Sequence, residues 1–291
     1  MIDLAIFIVL VIILILLVVL LFLYNRRLKG RLRNIQSSSS LTVTVDGTLN
    51  GDAEANQNSS NPSHSDLTLT INGSMNGMVE AWDYSTGDVT VSGSWVGEST
   101  AYYTGENSVS IIGSGSWTGD GWAYCGGTFG VSVADGAKWS GDAYSTDVEN
   151  GVYAHLTADI AGTWEGDAKS DYGAVLNANI KETGVWTGDA VSTDSYDDKA
   201  SEVHVDNAGV WNGDARADGA SLLTVDNSGT WTGDASTEDT GSSMTITDAG
   251  TWNGNAAAAS GSEMTIDVSG TWTGDAKASD SGTTLTITDS G

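Results

Sequence analysis

Carboxylates at a fixed place in a repeated octapeptide are the first residues here whose spacing could support chemistry. Asp52, Asp120, Asp142, Asp167, Asp189, Asp214, Asp234 and Asp275 each follow a glycine, with Glu98 and Asn255 at the same place. Stacked at strand spacing, such carboxylates stand about 5 Å apart and repel by about 1 kcal/mol in water. A hard cation such as Ca2+ would relieve this, since it takes oxygen ligands. A solvated ladder, or local bonds to turn amides, would relieve it without metal. The glycine-aspartate nonapeptide of calcium-binding β-rolls is absent.

A second set of candidates is aromatic. Trp82, Tyr102 and Tyr124 lie seven residues after the large apolar residue of their copy, and Trp122 and Tyr144 lie five after theirs. On a continuing strand, odd offsets point outward. The five rings therefore form either an exposed strip suited to sugar stacking and lateral contact, or a set packed against nearby loops. Other catalytic signals are missing. His64, His155 and His204 sit at unrelated offsets, and no phosphate loop, nucleophile elbow or zinc spacing is present. Only Lys138, Lys169, Lys181, Lys199, Arg216 and Lys277 are basic within the repeats, one per copy or fewer. No carboxylate-and-base cluster of a polysaccharide-cleaving enzyme emerges, so the expectation is a non-enzyme.

The element that must position these residues is the repeat Ser228-Gly229-Thr230-Trp231-Thr232-Gly233-Asp234-Ala235. Its tryptophan column reads Trp95, Trp117, Trp139, Trp164, Trp186, Trp211, Trp231, Trp252 and Trp272, with Leu49 and Met75 in the same frame earlier. The eleven copies are spaced by 26, 20, 22, 22, 25, 22, 25, 20, 21 and 20 residues. A unit this short cannot bury its own apolar face and must stack on its neighbours, as in a solenoid. Leu223, Val225, Trp231, Gly233 and Ala235 alternate with polar residues, which reads as two short strands joined at an Asp-Asn-Ser-Gly corner. Tryptophans would then stack about 4.8 Å apart in the wide part of the section, with Gly and Ala lining the narrow part. Polar stretches such as Ser236 to Ser242 become loops that absorb the variation in spacing.

The 291-residue chain carries 38 acidic and 11 basic residues, a net charge of −27. Arg26, Arg27, Lys29, Arg31 and Arg33 account for five of the basic residues, so 6 basic and 37 acidic residues remain beyond Arg33, about −31. That field disfavours nucleic acid and anionic lipid as partners of the repeats. A single cysteine, Cys125, excludes an internal disulfide framework. Residues 4 to 24 are uninterrupted apolar. As a helix they span roughly 31 Å, the thickness of a hydrocarbon core. The run is too long for a signal peptide and lacks a preceding basic region and a small-x-small cleavage site. The basic cluster follows it, at headgroup level, on a short helical continuation reaching Ile35, before a polar linker. The charge bias favours a cytoplasmic location for the repeats, with an extracellular location as the alternative.

The coils Gly-Thr-Leu-Asn-Gly-Asp-Ala-Glu-Ala (47 to 55) and Gly-Thr-Trp-Thr-Gly-Asp-Ala-Lys-Ala (270 to 278) resemble those of bactofilins, polymer-forming bacterial cytoskeletal β-solenoids. The resemblance implies right-handed coils, nucleotide-free end-to-end filaments, membrane association and a role in cell shape. It covers residues 41 to 291 as a repeat style. The coils here are longer than that family's, tryptophan replaces its aliphatic residue, and no long tail follows. The Ser/Thr/Gly/Asp-rich, lysine-poor coils also resemble passenger regions of adhesins and autotransporters.

The expected organisation is an N-terminal tip (1–3), a transmembrane helix (4–24), a basic juxtamembrane segment and Ser-rich linker (25–40), and an all-β single-stack solenoid of about twelve coils (41–291). The last segment, Thr283 to Gly291, stops where another Gly-Thr-Trp would begin. The expectation is either polymerisation through the end coils or a longer repeat protein. The leading functional expectation is a self-associating, membrane-anchored scaffold. The alternative is a surface adhesin or stalk, the one reading under which carbohydrate is a partner.

Overall fold

The computed structural model describes residues 32–35, 40–56, 64–149 and 151–291. The expected transmembrane helix over 4–24 and the basic residues Arg26, Arg27, Lys29 and Arg31 lie outside them. Among the described residues no helix is long and apolar enough to cross a membrane. Arg33 lies within the strand Leu32–Ile35, which pairs in parallel with Ala53–Asn56. The helical continuation expected up to Ile35 is thus replaced there by a strand. Pairing with the open edge of a sheet gives those backbone groups partners that an isolated turn of helix would lack.

Each repeat makes one coil of three strands, so the section is a triangle rather than the two strands joined at one corner expected from alternation. In a typical coil these are Leu222–Asn227, Thr230–Thr232 and Ala235–Thr237. We name their faces the long, tryptophan and alanine faces. Stacking coil on coil builds sheets of 12, 11 and 12 parallel strands for the long, tryptophan and alanine faces. Eleven complete turns result, and at about 4.8 Å per strand the rod is roughly 50 Å long. Ser228-Gly229 turns the first corner and Gly233-Asp234 the second. The second turn is why the strand expected to run from Trp231 to Ala235 breaks in two. The third corner varies in length. Where the tryptophan spacing reaches 25, it carries a small antiparallel hairpin, Val148–Glu149 with Val152–Tyr153 or Ser195–Tyr196 with Lys199–Ala200.

The core follows from strand alternation. In this coil Leu223, Val225, Trp231 and Ala235 are all at most 1% exposed. Pairing is in register, so like sits on like: Trp211 on Trp231 on Trp252, and Ala215 on Ala235 on Ala256. Fully burying such a ring removes about 150–250 Å² from water, worth about 4–6 kcal/mol before entropy costs.

One interior column changes character. The position held by Ile160, Ile180 and Val268 is Asn207, Asn227 and Asp248 in three successive coils. Asn207 Nδ2 donates to Asn227 Oδ1 at 2.7 Å, and Asn227 Nδ2 donates to Asp248 Oδ1 at 2.6 Å. Each amide also donates to a carbonyl on the tryptophan face of the next coil, Thr230 or Thr251. Asp248 is fully buried and its Oδ2 has no partner. Burial raises its pKa above the usual carboxylate range, against the opposing bonds from Asn227 and the Gly250 amide. A carboxyl with a raised folded pKa contributes stability that is present below its ordinary pKa and lost as pH rises through the raised one. Asp248→Asn would extend the ladder toward the equivalent carbonyl of Thr271. Urea unfolding at pH 7 should show the variant more stable by about 1 kcal/mol. The advantage should shrink as pH falls toward about 4; an equal difference at both pH values would contradict this account of the column.

Candidate functional site

Two repeated polar groups, the indole N–H and the aspartate carboxylate, are spent on bonds between coils. The nine indoles stack with ring centroids 4.6–5.0 Å apart and planes within 9° of parallel. Rings touch at about 3.5 Å, so this spacing makes each one slide sideways over the next, the favoured offset arrangement. Every indole N–H donates to the carbonyl of the motif glycine one coil back, from Trp95 to Gly77 at 2.8 Å through Trp272 to Gly254 at 2.9 Å. Those glycines therefore do not line the core as strand residues, as expected from alternation. They sit at the corner with their carbonyls along the axis. A Cβ on Gly233 would lie 1.9 Å from the Gly213 oxygen, and one on Gly254 1.7 Å from the Gly233 oxygen. No side chain fits between coils that approach this closely.

The aspartate column is a ladder of amide acceptors. Asp120 Oδ1 takes the Asp142 amide at 2.9 Å, and Asp142, Asp167, Asp189, Asp214 and Asp234 take the amide of the next member in turn at 2.7–3.0 Å. Asn255 passes the pattern to Asp275 at 3.0 Å. Asp52 does the same for Met78. The repulsion anticipated for a stacked column is thus offset by one N–H per carboxylate. Among the described residues no group of three or more His, Cys, Asp or Glu side chains is arranged to hold a metal ion. His155 and His204 stand in different columns of the long face, and His64 meets the Tyr84 carbonyl.

The five aromatics outside the main stack lie on the outer side of the alanine face, half-buried and packed on one another. Offsets five and seven prove to be two separate columns, two residues apart on the same strands. In one, Trp82 stacks on Tyr102 at 4.1 Å, and Tyr124 meets Tyr102 edge-on at 5.6 Å. In the other, Thr100, Trp122, Tyr144 and Lys169 follow in register, with Trp122 and Tyr144 stacked at 3.9 Å. Lys169 closes that column: its Nζ lies 5.4 Å from the Tyr144 ring centre, 3.0 Å from Asp167 and 3.5 Å from Asp142. Burial lowers the Lys169 pKa, but the bond to Asp167 and the two aspartate charges outweigh it and hold it at about 12. Burial and the hydrogen bond to Asp142 push Tyr144 up to about 12.

At the other end of the ring pair the column steps to the small Thr100, then to Glu80, and a pocket of about 370 Å³ opens there, lined by Glu98, Thr100, Tyr102, Trp122 and Tyr124. Burial, followed by the Glu80 and Glu98 charges, raises the Tyr102 phenol. Tyr124 is pushed up to about 12, first by Cys125 beside it and then by burial. Both phenols stay neutral at physiological pH. The sequence does carry a signal for this pocket, a small residue one coil before an aromatic in the same column. That signal becomes usable only once the register is known.

No protein-family model and no curated protein matches the chain. Among solved structures, one that matches is the crystal structure of a TibC-catalysed hyper-glycosylated fragment of TibA. It shares 13% identity with a TM-score of 0.27, covering 88% of this chain and 100% of that one.

Asp189→Ala removes the acceptor of the Asp214 amide and should cost about 1 kcal/mol, whereas Asp189→Asn keeps an acceptor, as Asn255 does, and should be nearly neutral. Thermal unfolding of both variants, with and without chelator, checks this. The melting temperature should not move with chelator; a drop would mean that the outer carboxylate oxygens hold a cation.

Proposed function

We propose that the chain is a non-enzymatic, membrane-tethered β-solenoid rod that serves as a rigid scaffold. The observation that carries this reading is the commitment of the repeated polar groups to axial bonds: indole N–H to glycine carbonyl, and aspartate to the next amide. An enzyme needs its most repeated polar groups free to meet a substrate, and the indole and aspartate columns of this repeat serve length and stiffness instead. The apolar run over 4–24 and the basic residues after it support the tether. The same charges favour repeats on the cytoplasmic side. In this reading the coil winds right-handed, as connections between parallel strands usually do.

Self-association is part of the proposal, supported by the bactofilin-like style of the coils. The acidic surface opposes contact between rods, and salt shortens the reach of that repulsion from about 10 Å at 0.1 M to about 3 Å at 1 M. Electron microscopy of the purified full chain should show rods that associate increasingly as salt is raised. Isolated rods at every salt concentration would remove the scaffold reading. A second reading, a surface stalk or adhesin with repeats outside, is favoured by the aromatic pocket on the side of the rod. Protease treatment of intact cells separates the two, since only exterior repeats would be cut.

A further inference from the structure

The aromatic run Trp122–Tyr144 in the outer column of the alanine face has two ends, and they are treated differently. At one end Tyr144 faces an ammonium supplied by the chain itself, Lys169, beside the carboxylates of Asp142 and Asp167. At the other end Trp122 has Tyr144 against one face, and the pocket is built from its own coil and the coil before. The same acidic column passes this end, where Glu98 occupies the place held by aspartate in later coils. Tyr102 and Tyr124 close the side, and Thr100 forms a floor that is only 3% exposed. Three aromatic rings and a carboxylate around one space form a constellation that attracts a large, weakly hydrated cation. Ring faces carry negative potential, and the carboxylate adds charge that a neutral guest could not use. An ordinary ammonium would lose strongly held water on entering, whereas an alkylated one has apolar groups to lay against the rings. The net charge of −27 raises the local concentration of any cation near this face.

We propose that the pocket between Glu98, Thr100, Tyr102, Trp122 and Tyr124 binds an alkylated ammonium group, of the class represented by choline. The bound cation caps the Trp122 end of the column as Lys169 caps the Tyr144 end. This goes beyond the scaffold reading and does not depend on which side of the membrane the repeats occupy.

Titration calorimetry on the full chain tests it with choline and with its neutral isostere, in which carbon replaces nitrogen. Choline should bind at least about tenfold more tightly than the isostere. Glu98→Gln should weaken choline binding by about tenfold while leaving the isostere unaffected. Thr100→Trp fills the floor with a further ring in the same column and should abolish choline binding. The unchanged melting temperature of that variant would show that the coils remain intact. Phosphatidylcholine vesicles form a separate arm. Binding to vesicles as well as to free choline identifies a lipid headgroup as the source, and binding to choline alone identifies a soluble cation; both support the site. Equal affinity for choline and the isostere would overturn the proposal, as would choline affinity unchanged in both variants or absence of saturable choline binding. A preference for a neutral oligosaccharide over choline would assign the pocket to sugar instead.

Discussion

The structure depends on one contact repeated along the axis: an indole lying on the indole of the next coil while its N–H holds the glycine carbonyl of the coil before. Parallel pairing sets the step between coils near 4.8 Å, and the ring stack must accept that step. Offset stacking lets it do so. The hydrogen bond then fixes the ring in its plane and satisfies a polar atom that would otherwise be buried alone. Because the carbonyl must point along the axis into a gap less than one side chain deep, the corner residue is glycine. Tryptophan and glycine at this spacing are thus two halves of a single interaction between coils.

Polar groups elsewhere follow the same axial rule. A column of aspartates would repel itself, yet here each carboxylate accepts the amide of the next member. The interior Asn207–Asn227–Asp248 column uses the same device inside the core, where two amides pass hydrogen bonds down the stack and the final carboxyl leaves one oxygen unmatched. Stability in such a rod is a sum over neighbouring coils, so each substitution acts mainly on the coils it touches.

Outward positions escape these demands. On the alanine face one strand side packs alanine into the core while the other is free to carry Trp122, Tyr144 and Lys169 in one column and Trp82, Tyr102 and Tyr124 in another. A rod of fixed section can therefore vary its sides coil by coil. The pocket arises where the outward column steps from a large ring to Thr100, and the interior changes in the same coil, where Ser99 accepts a bond from buried Asn107.

The sequence by itself determined the repeat, its coil-on-coil stacking and the inward direction of Trp231, Leu223 and Val225, because alternation is a local property of an extended chain. It also carried the tryptophan column as a spacing that no single repeat could satisfy alone. It did not determine that the Gly-Asp pair turns a corner and divides one expected strand into two. Nor did it determine that Leu32–Ile35 joins a sheet, that the aspartates bond to amides, or that Thr100 lies beneath Trp122. Those outcomes rest on contacts between residues about one coil apart, and the coil length varies from 20 to 26 residues. Only the pairing of strands in three dimensions decides which residues meet, since the third corner absorbs insertions of different length before each strand returns to register.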